Sequence, residues 1–272
     1  MKLAWILTFV AIASASQPCT VFLVARHGQV FAAGNEDEGA DAGHSKHFVK
    51  FVQAKPETGA LGYVAFGYSK NPLNDESAMN EAGLFYDFTA QDKLDKPREG
   101  KPRGKFNAIN EMLTKCRTVA EAVHFLEAFD LSNMSSAELF IGDSLGASAI
   151  VERHTTTARP KGIDFQIATN FRTSLVPQDQ ISCERYKLCD SRLGASKRVS
   201  VKSIVEILDG TKAQAPSAYR TWYSLVCDLK RREVNLYRKG DFSQPIKFSL
   251  LAELKKGARK LDMDEFVNAV SR

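Results

Sequence analysis

A chain of 272 residues, 44% of them hydrophobic, is long enough for one large domain or two small ones and apolar enough for a sizeable core. Its formal net charge of +5 is mild, which argues against a nucleic-acid-binding surface. Five cysteines without a C-x-x-C pair exclude a zinc ribbon, and the odd count leaves at least one free thiol.

The N-terminus places one positive charge, Lys2, before an almost unbroken apolar run over residues 3–13, closed by the small-x-small sequence Ala13-Ser14-Ala15. That is the layout of a secretory signal peptide, and the run is too short for a permanent membrane span. The expectation is an exported protein with no stable membrane anchor. Residues 1–18 read as signal peptide plus a short propeptide, and residues 19–272 as a single domain. Taking 18 residues from 272 leaves 254 and removes Lys2, so the charge falls from +5 to +4. Export allows disulfides, but Cys183 and Cys189 lie six positions apart on one predicted helix, a poor geometry for a bridge.

From Cys19 the chain reads as a hairpin: residues 19–25 and 30–33 are short β-rich runs about the turn His27-Gly28-Gln29. Residues 36–47 are polar and Gly-bearing and read as loop. Strands are expected over 48–52, 62–66 and 83–88, the last after a turn-like Met79-Asn80-Glu81-Ala82. Residues 91–105 form a long basic loop rich in Pro and Gly, of the sort that serves as a lid or binding loop or is simply solvated. Helical spacing follows over 108–113 and 119–129, with Thr118 and Glu121 in capping-box positions. A hairpin spans 139–142 and 148–151, and a strand 165–169 ends at Asn170. Helices are expected over 181–192 and 199–208, then a hairpin from 221–229 to 233–237. A strand over 246–249, a helix over 250–258 and a polar tail complete the chain. Strands, then helices, then strands again point to an α+β layered fold.

A cysteine just past a signal peptide has three meanings: a lipoprotein anchor, half of a structural disulfide, or an N-terminal nucleophile. Pro18 stands where the lipoprotein route wants a small residue, and on this segment alone the disulfide is favoured. The third meaning has a physical basis. A thiol at a true N-terminus has its general base in the same residue, the α-amino group, whose pKa of about 7.7–8.0 lies near working pH.

The downstream motifs favour this third meaning. Cys19-Thr20 followed by Gly34-Asn35-Glu36-Asp37 resembles the opening of the choloylglycine hydrolase family of linear-amide hydrolases and acyltransferases. Met79-Asn80-Glu81-Ala82-Gly83-Leu84 is similar to its M-N-E-x-G-L segment, Ala168-Thr169-Asn170 to its T-N motif, and Ser182-x-x-Arg185-Tyr186 to its S-x-x-R-[FY] helix start. The segment from Thr221-Trp222-Tyr223-Ser224 to Asn235-Leu236-Tyr237 resembles the family's closing hairpin. The shared order covers nearly the whole chain after Cys19.

The resemblance implies the four-layer αββα sandwich of N-terminal-nucleophile hydrolases. It implies Cys19 as nucleophile, Asp37 as the acceptor for its α-amine, Asn170 near oxyanion and amine, and Arg185 as support for the thiolate. The reaction would be hydrolysis of an N-acyl amide through an acyl-thioester. Phe66, Phe85, Tyr86 and Phe88 are candidates to line the substrate pocket. Two rivals stand: an acyltransferase using the same acyl-enzyme, and a secreted binding protein without catalysis. The expected partner is a small-molecule N-acyl amide, with no cofactor; a homo-oligomer is compatible with the sequence. His44 and His47, with His27 and Asp41 nearby, lack the ligand spacing of zinc sites, so no metal is expected.

Two departures from the family stand out. Gly34 occupies the place of an arginine found in bile salt hydrolases, and residues 85–90 offer no asparagine for the oxyanion hole, leaving Tyr86, Asp87, Thr89 or a backbone amide. Gly34 alone suggests uncharged or modestly anionic N-acyl amides over bile salt conjugates.

Overall fold

The computed structural model describes residues 19–39, 46–68, 75–104, 107–214 and 218–270; the expected signal peptide lies outside them. Two antiparallel sheets face one another. The six-stranded sheet has the order β10 (Phe165–Ala168), β1 (Thr20–Arg26), β2 (Gln29–Gly39), β11 (Tyr219–Asp228), β12 (Glu233–Arg238), β13 (Asp241–Ser249). The eight-stranded sheet runs β14 (Arg259–Asp262), β3 (His47–Val52), β4 (Tyr63–Tyr68), β5 (Ser77–Asn80), β6 (Phe85–Ala90), β7 (Ala137–Gly142), β8 (Ser148–Val151), β9 (Thr156–Ala158).

Side chains alternate across each strand, so each sheet has two faces to bury. The facing surfaces share one core, including Leu23, Phe51, Phe66, Phe85, Phe140 and Leu225. Each large side chain buried there contributes about 1.5–3 kcal/mol. The outer face of the eight-stranded sheet is covered by α1 (Ala108–Lys115) and α2 (Val119–Glu127). That of the six-stranded sheet is covered by α3 (Glu184–Ala195) and α4 (Val201–Thr211). The result is the expected αββα sandwich. The apolar spacing that predicted α2 is its buried face, Val119, Ala122 and Leu126. Thr118 caps it by accepting from Glu121 N at 3.2 Å, while the Glu121 carboxylate accepts from Arg117 N, so the box is only half formed.

The structure corrects the sequence reading in several places. Residues 36–39 are not loop: β2 continues to Gly39, because β11 offers a full partner along its length. Met79 and Asn80 belong to strand β5. The tail is not merely polar, since β14 pairs with β3 and α6 (Met263–Val270) buries Met263 and Phe266. The loop after β6 is strapped down, with Arg98 donating to the carbonyls of Glu152 and Arg153 and a backbone pair joining Gly104 to Asp130. All five cysteines are free thiols. Among the described residues no helix is long and apolar enough to cross a membrane.

Candidate active site

Strand β1 is an interior strand, paired with β10 on one side and β2 on the other. Cys19 stands immediately before it and is 3% exposed. Alternation puts Cys19 on the same face as Val21 and Leu23, toward the opposite sheet, while Thr20 turns toward the helices. Cys19 Sγ lies 3.7 Å from the Asp37 carbonyl oxygen and 3.9 Å from Glu36 Oε1. Burial, and then the charges of Glu36 and Asp37, push the thiol well above its ordinary pKa. The thiol is therefore held protonated.

Asp37 lies on the other face of β2. Its Oδ1 accepts a hydrogen bond from Thr221 Oγ1, and its buried Oδ2 has no hydrogen-bond partner among the described residues. Burial raises its carboxyl to about 7, against the lowering effects of Thr221 and the Arg185 charge.

Arg185, in the first turn of α3, donates through Nη1 to the Cys19 carbonyl oxygen and to Thr20 Oγ1 at 3.0 Å. Its Nη2 donates to Asn170 Oδ1 at 2.9 Å, and Asn170 Nδ2 donates to the Ala90 carbonyl at 2.8 Å. A continuous chain of hydrogen bonds thus runs from Cys19 through Arg185 and Asn170 to the end of β6, tying both sheets to the head of β1. The four residues singled out in the sequence are brought together. The guanidinium grips the main chain of Cys19 and the Thr20 hydroxyl.

The aromatic candidates fall elsewhere. Phe66 and Phe85 are packed into the inter-sheet core. Tyr86 faces the α1–α2 layer, its hydroxyl donating to the Asp75 carbonyl and Asn110 Oδ1 at 3.2 Å each, with the half-buried Phe88 against its ring. Their β-periodic apolar pattern is that of core strands. An apolar cavity of about 320 Å³ lies instead beside β10, lined by Ile150, Phe165, Ile167, Phe171, Val176 and Tyr186. Phe171 and Tyr186 follow Asn170 and Arg185 in the chain.

Of the other oxyanion candidates, Thr89 Oγ1 accepts from Gln91 Nε2 at 2.9 Å. Asp87 is buried and faces Gly34: a Cβ at residue 34 would stand 2.5 Å from Asp87 Oδ2. Only glycine leaves room for that carboxylate. The M-N-E-x-G-L segment has a structural role. Asn80 Oδ1 accepts from Ala82 N and Leu84 N, and its Nδ2 donates to the carbonyls of Leu113 and Cys116, pinning the β5–β6 turn to the end of α1. Gly83, at φ 84°, passes so near the Leu229 carbonyl that a Cβ would be 2.3 Å from its oxygen. Of the residues weighed as metal ligands, Asp41 and His44 lie outside the described residues. His47 Nε2 is 3.5 Å from Glu38 Oε1.

Residues 24–220 match the family described as acyl-coenzyme A:6-aminopenicillanic acid acyl-transferase. The chain belongs to this family. The matched stretch contains Asp37, Asn170 and Arg185 and begins just after Cys19. Among solved structures, a variant of conjugated bile acid hydrolase from Clostridium perfringens is similar at a TM-score of 0.63 and 16% identity, covering 89% of this chain and 96% of that one. Penicillin V acylase from Agrobacterium tumefaciens is similar at 0.57 and 19% identity, covering 91% and 86%. No curated protein sequence matches the chain. The shared fold is the N-terminal-nucleophile sandwich, and the relationship to choloylglycine hydrolases expected from the motifs holds. Membership of the acyl-transferase family places the chain among enzymes of amide acyl chemistry.

Proposed function

We propose that the protein is an exported amidohydrolase of linear N-acyl amides, with Cys19 exposed as the N-terminal residue by proteolysis and acting as nucleophile. The observation that carries this reading is the position of Cys19. It stands at the head of an interior strand, its thiol against the end of β2, its carbonyl held by the Arg185–Asn170 link, with a buried and unpartnered Asp37 oxygen on the same strand end.

In this reading the α-amine takes the thiol proton as sulfur attacks the amide carbon. The tetrahedral intermediate collapses as the ammonium returns its proton to the departing amine, leaving an acyl-thioester. Water, deprotonated by the same amine, then attacks the thioester carbon, and sulfur leaves with the proton. Asp37 Oδ2 is suited to accept a hydrogen bond from the ammonium and keep it oriented. Arg185 and Asn170 fix the strand that carries the reacting atoms.

The test is N-terminal sequencing and intact mass of the secreted protein, with turnover of N-acyl amides by the wild type and by Cys19→Ala. The expected result is a Cys19 N-terminus, an acyl adduct on that residue, and loss of turnover in the variant. An active preparation that stably begins at Ser16 rules the mechanism out. The family description favours one second reading, acyl transfer to an amine. Adding an amine acceptor and following new amide against free acid separates the two.

A further inference from the structure

The inter-sheet face of β2 carries Ala32, Gly34, Glu36 and Glu38 in alternation. The apolar core therefore gives way to acids at the level of Cys19. Because Thr20 pairs with Asn35, Glu36 and Glu38 lie beyond the head of β1, which sets the mouth of the proposed site beside the thiol: Cys19 Sγ is 3.9 Å from Glu36 Oε1. Asp87 joins them from the opposite sheet, seated where a side chain at residue 34 would emerge. Glu36 is 5%, Asp87 4% and Glu38 1% exposed.

These acids have few partners. Among the described residues neither carboxylate oxygen of Glu38 has a hydrogen-bond partner. His47 is the one basic side chain within 4 Å of the three carboxylates among the described residues. Its ring stacks on Trp222 at 5.3 Å and meets Tyr68 at 6.4 Å, so aromatic rings wall the same space. Carboxylates beside aromatic faces recognise organic cations. Among the described residues no three His, Cys, Asp or Glu side chains are placed to hold a metal ion.

We propose that this mouth recognises a cationic ammonium or guanidinium group on the amine portion of the substrate, held by Glu36, Glu38 and Asp87 against the His47–Trp222 and Tyr68 wall. The proposal rests on the amidohydrolase reading and sharpens it. Gly34 alone suggested neutral or modestly anionic substrates; the Asp87 carboxylate lying over it reverses the sign.

The test uses N-acetyl-1,4-diaminobutane, N-butylacetamide and N-acetyl-4-aminobutyrate, which share acyl group and length but carry a cation, no charge and an anion. Binding is measured on the Cys19→Ala protein, and turnover on the wild type. The cationic amide is expected to bind at least tenfold tighter than the neutral one, with the anion weakest. Glu38→Gln, and independently Asp87→Asn, should shrink the cation-to-neutral ratio at least threefold. Equal binding of all three, or a ratio unmoved in both folded variants, overturns the proposal. Cation-selective binding with no turnover of any amide by the wild type would retain this site and remove the amidohydrolase reading. Turnover without charge preference does the reverse.

Discussion

Two groups of buried acids lie in this molecule, and the fold treats them differently. Glu138 and Glu152, on and just after the β7–β8 hairpin, are almost wholly enclosed. Glu138 Oε1 accepts from Thr173 N at 2.7 Å, and Glu152 Oε1 from Ser174 N at 2.9 Å. Arg172 is 3.5 Å from Glu152 Oε2 and also donates to the carbonyls of Asp92, Ser135 and Ala137. Here the chain supplies its own cation and amides, and the product is a clamp on the loop after Asn170. Glu36, Glu38 and Asp87 are buried as deeply but, among the described residues, the contacts they receive are one thiol, one imidazole and one backbone amide. Buried polar groups that a fold leaves unsatisfied mark places where something else binds. One cluster holds the structure together; the other is arranged for a ligand.

The largest effect should come from breaking the satisfied cluster. Arg172→Ala leaves the buried Glu152 carboxylate without its cation and should lower stability by about 3–5 kcal/mol in urea denaturation. In contrast, Glu36→Gln should raise stability, by about 1–3 kcal/mol, since burial and the neighbouring acids hold this carboxyl well above its usual range and glutamine keeps the volume without that cost. A loss comparable to that of Arg172→Ala would erase the distinction between the clusters.

Titration sharpens the comparison further. Burial raises Asp37 from 3.8 to about 7, and burial with the Glu152 charge raises Glu138 from 4.5 to about 8. Between those limits the folded state keeps a proton that the unfolded chain has lost. Stability contributed by each group is complete below its unfolded pKa and is lost as pH rises through the folded one. The slope approaches about 1.4 kcal/mol per pH unit for each carboxyl. Urea midpoints should therefore fall from pH 5 to pH 7, and Asp37→Asn should flatten part of the fall. A rising midpoint over that range would contradict both assignments. As a reference outside either cluster, Thr118→Ala should cost about 1 kcal/mol through loss of the α2 cap, without changing the pH slope.

Much of this architecture was legible in the residues. Alternation gave the β1–β2 hairpin and the hairpin carrying Glu138, and helical spacing gave α1 to α4. Cys19, Asp37, Asn170 and Arg185 were singled out because their motifs keep a shared order, and the fold brings them together. What escaped was set by tertiary partners. Residues 36–39 look like loop until β11 lies beside them, and Arg259-Lys260-Leu261-Asp262 becomes a strand only because β3 has a free edge. The acid-lined mouth was not visible, because Gly34, Glu36 and Glu38 share a face only once residues 36–39 are strand. Asp87 was weighed only for the oxyanion, because nothing local to β6 says that its carboxylate meets Gly34 across the gap between sheets.

The place of Cys19 relative to the β1 ladder has a bearing on activation. Cross-strand pairing of β1 begins at Thr20, and both its edges are occupied, by β2 and by β10. On the proposed maturation, a cut immediately before Cys19 would leave every rung between the described strands and the guanidinium grip on the Cys19 carbonyl in place. The new α-amine would then stand in a frame whose described strands are already paired.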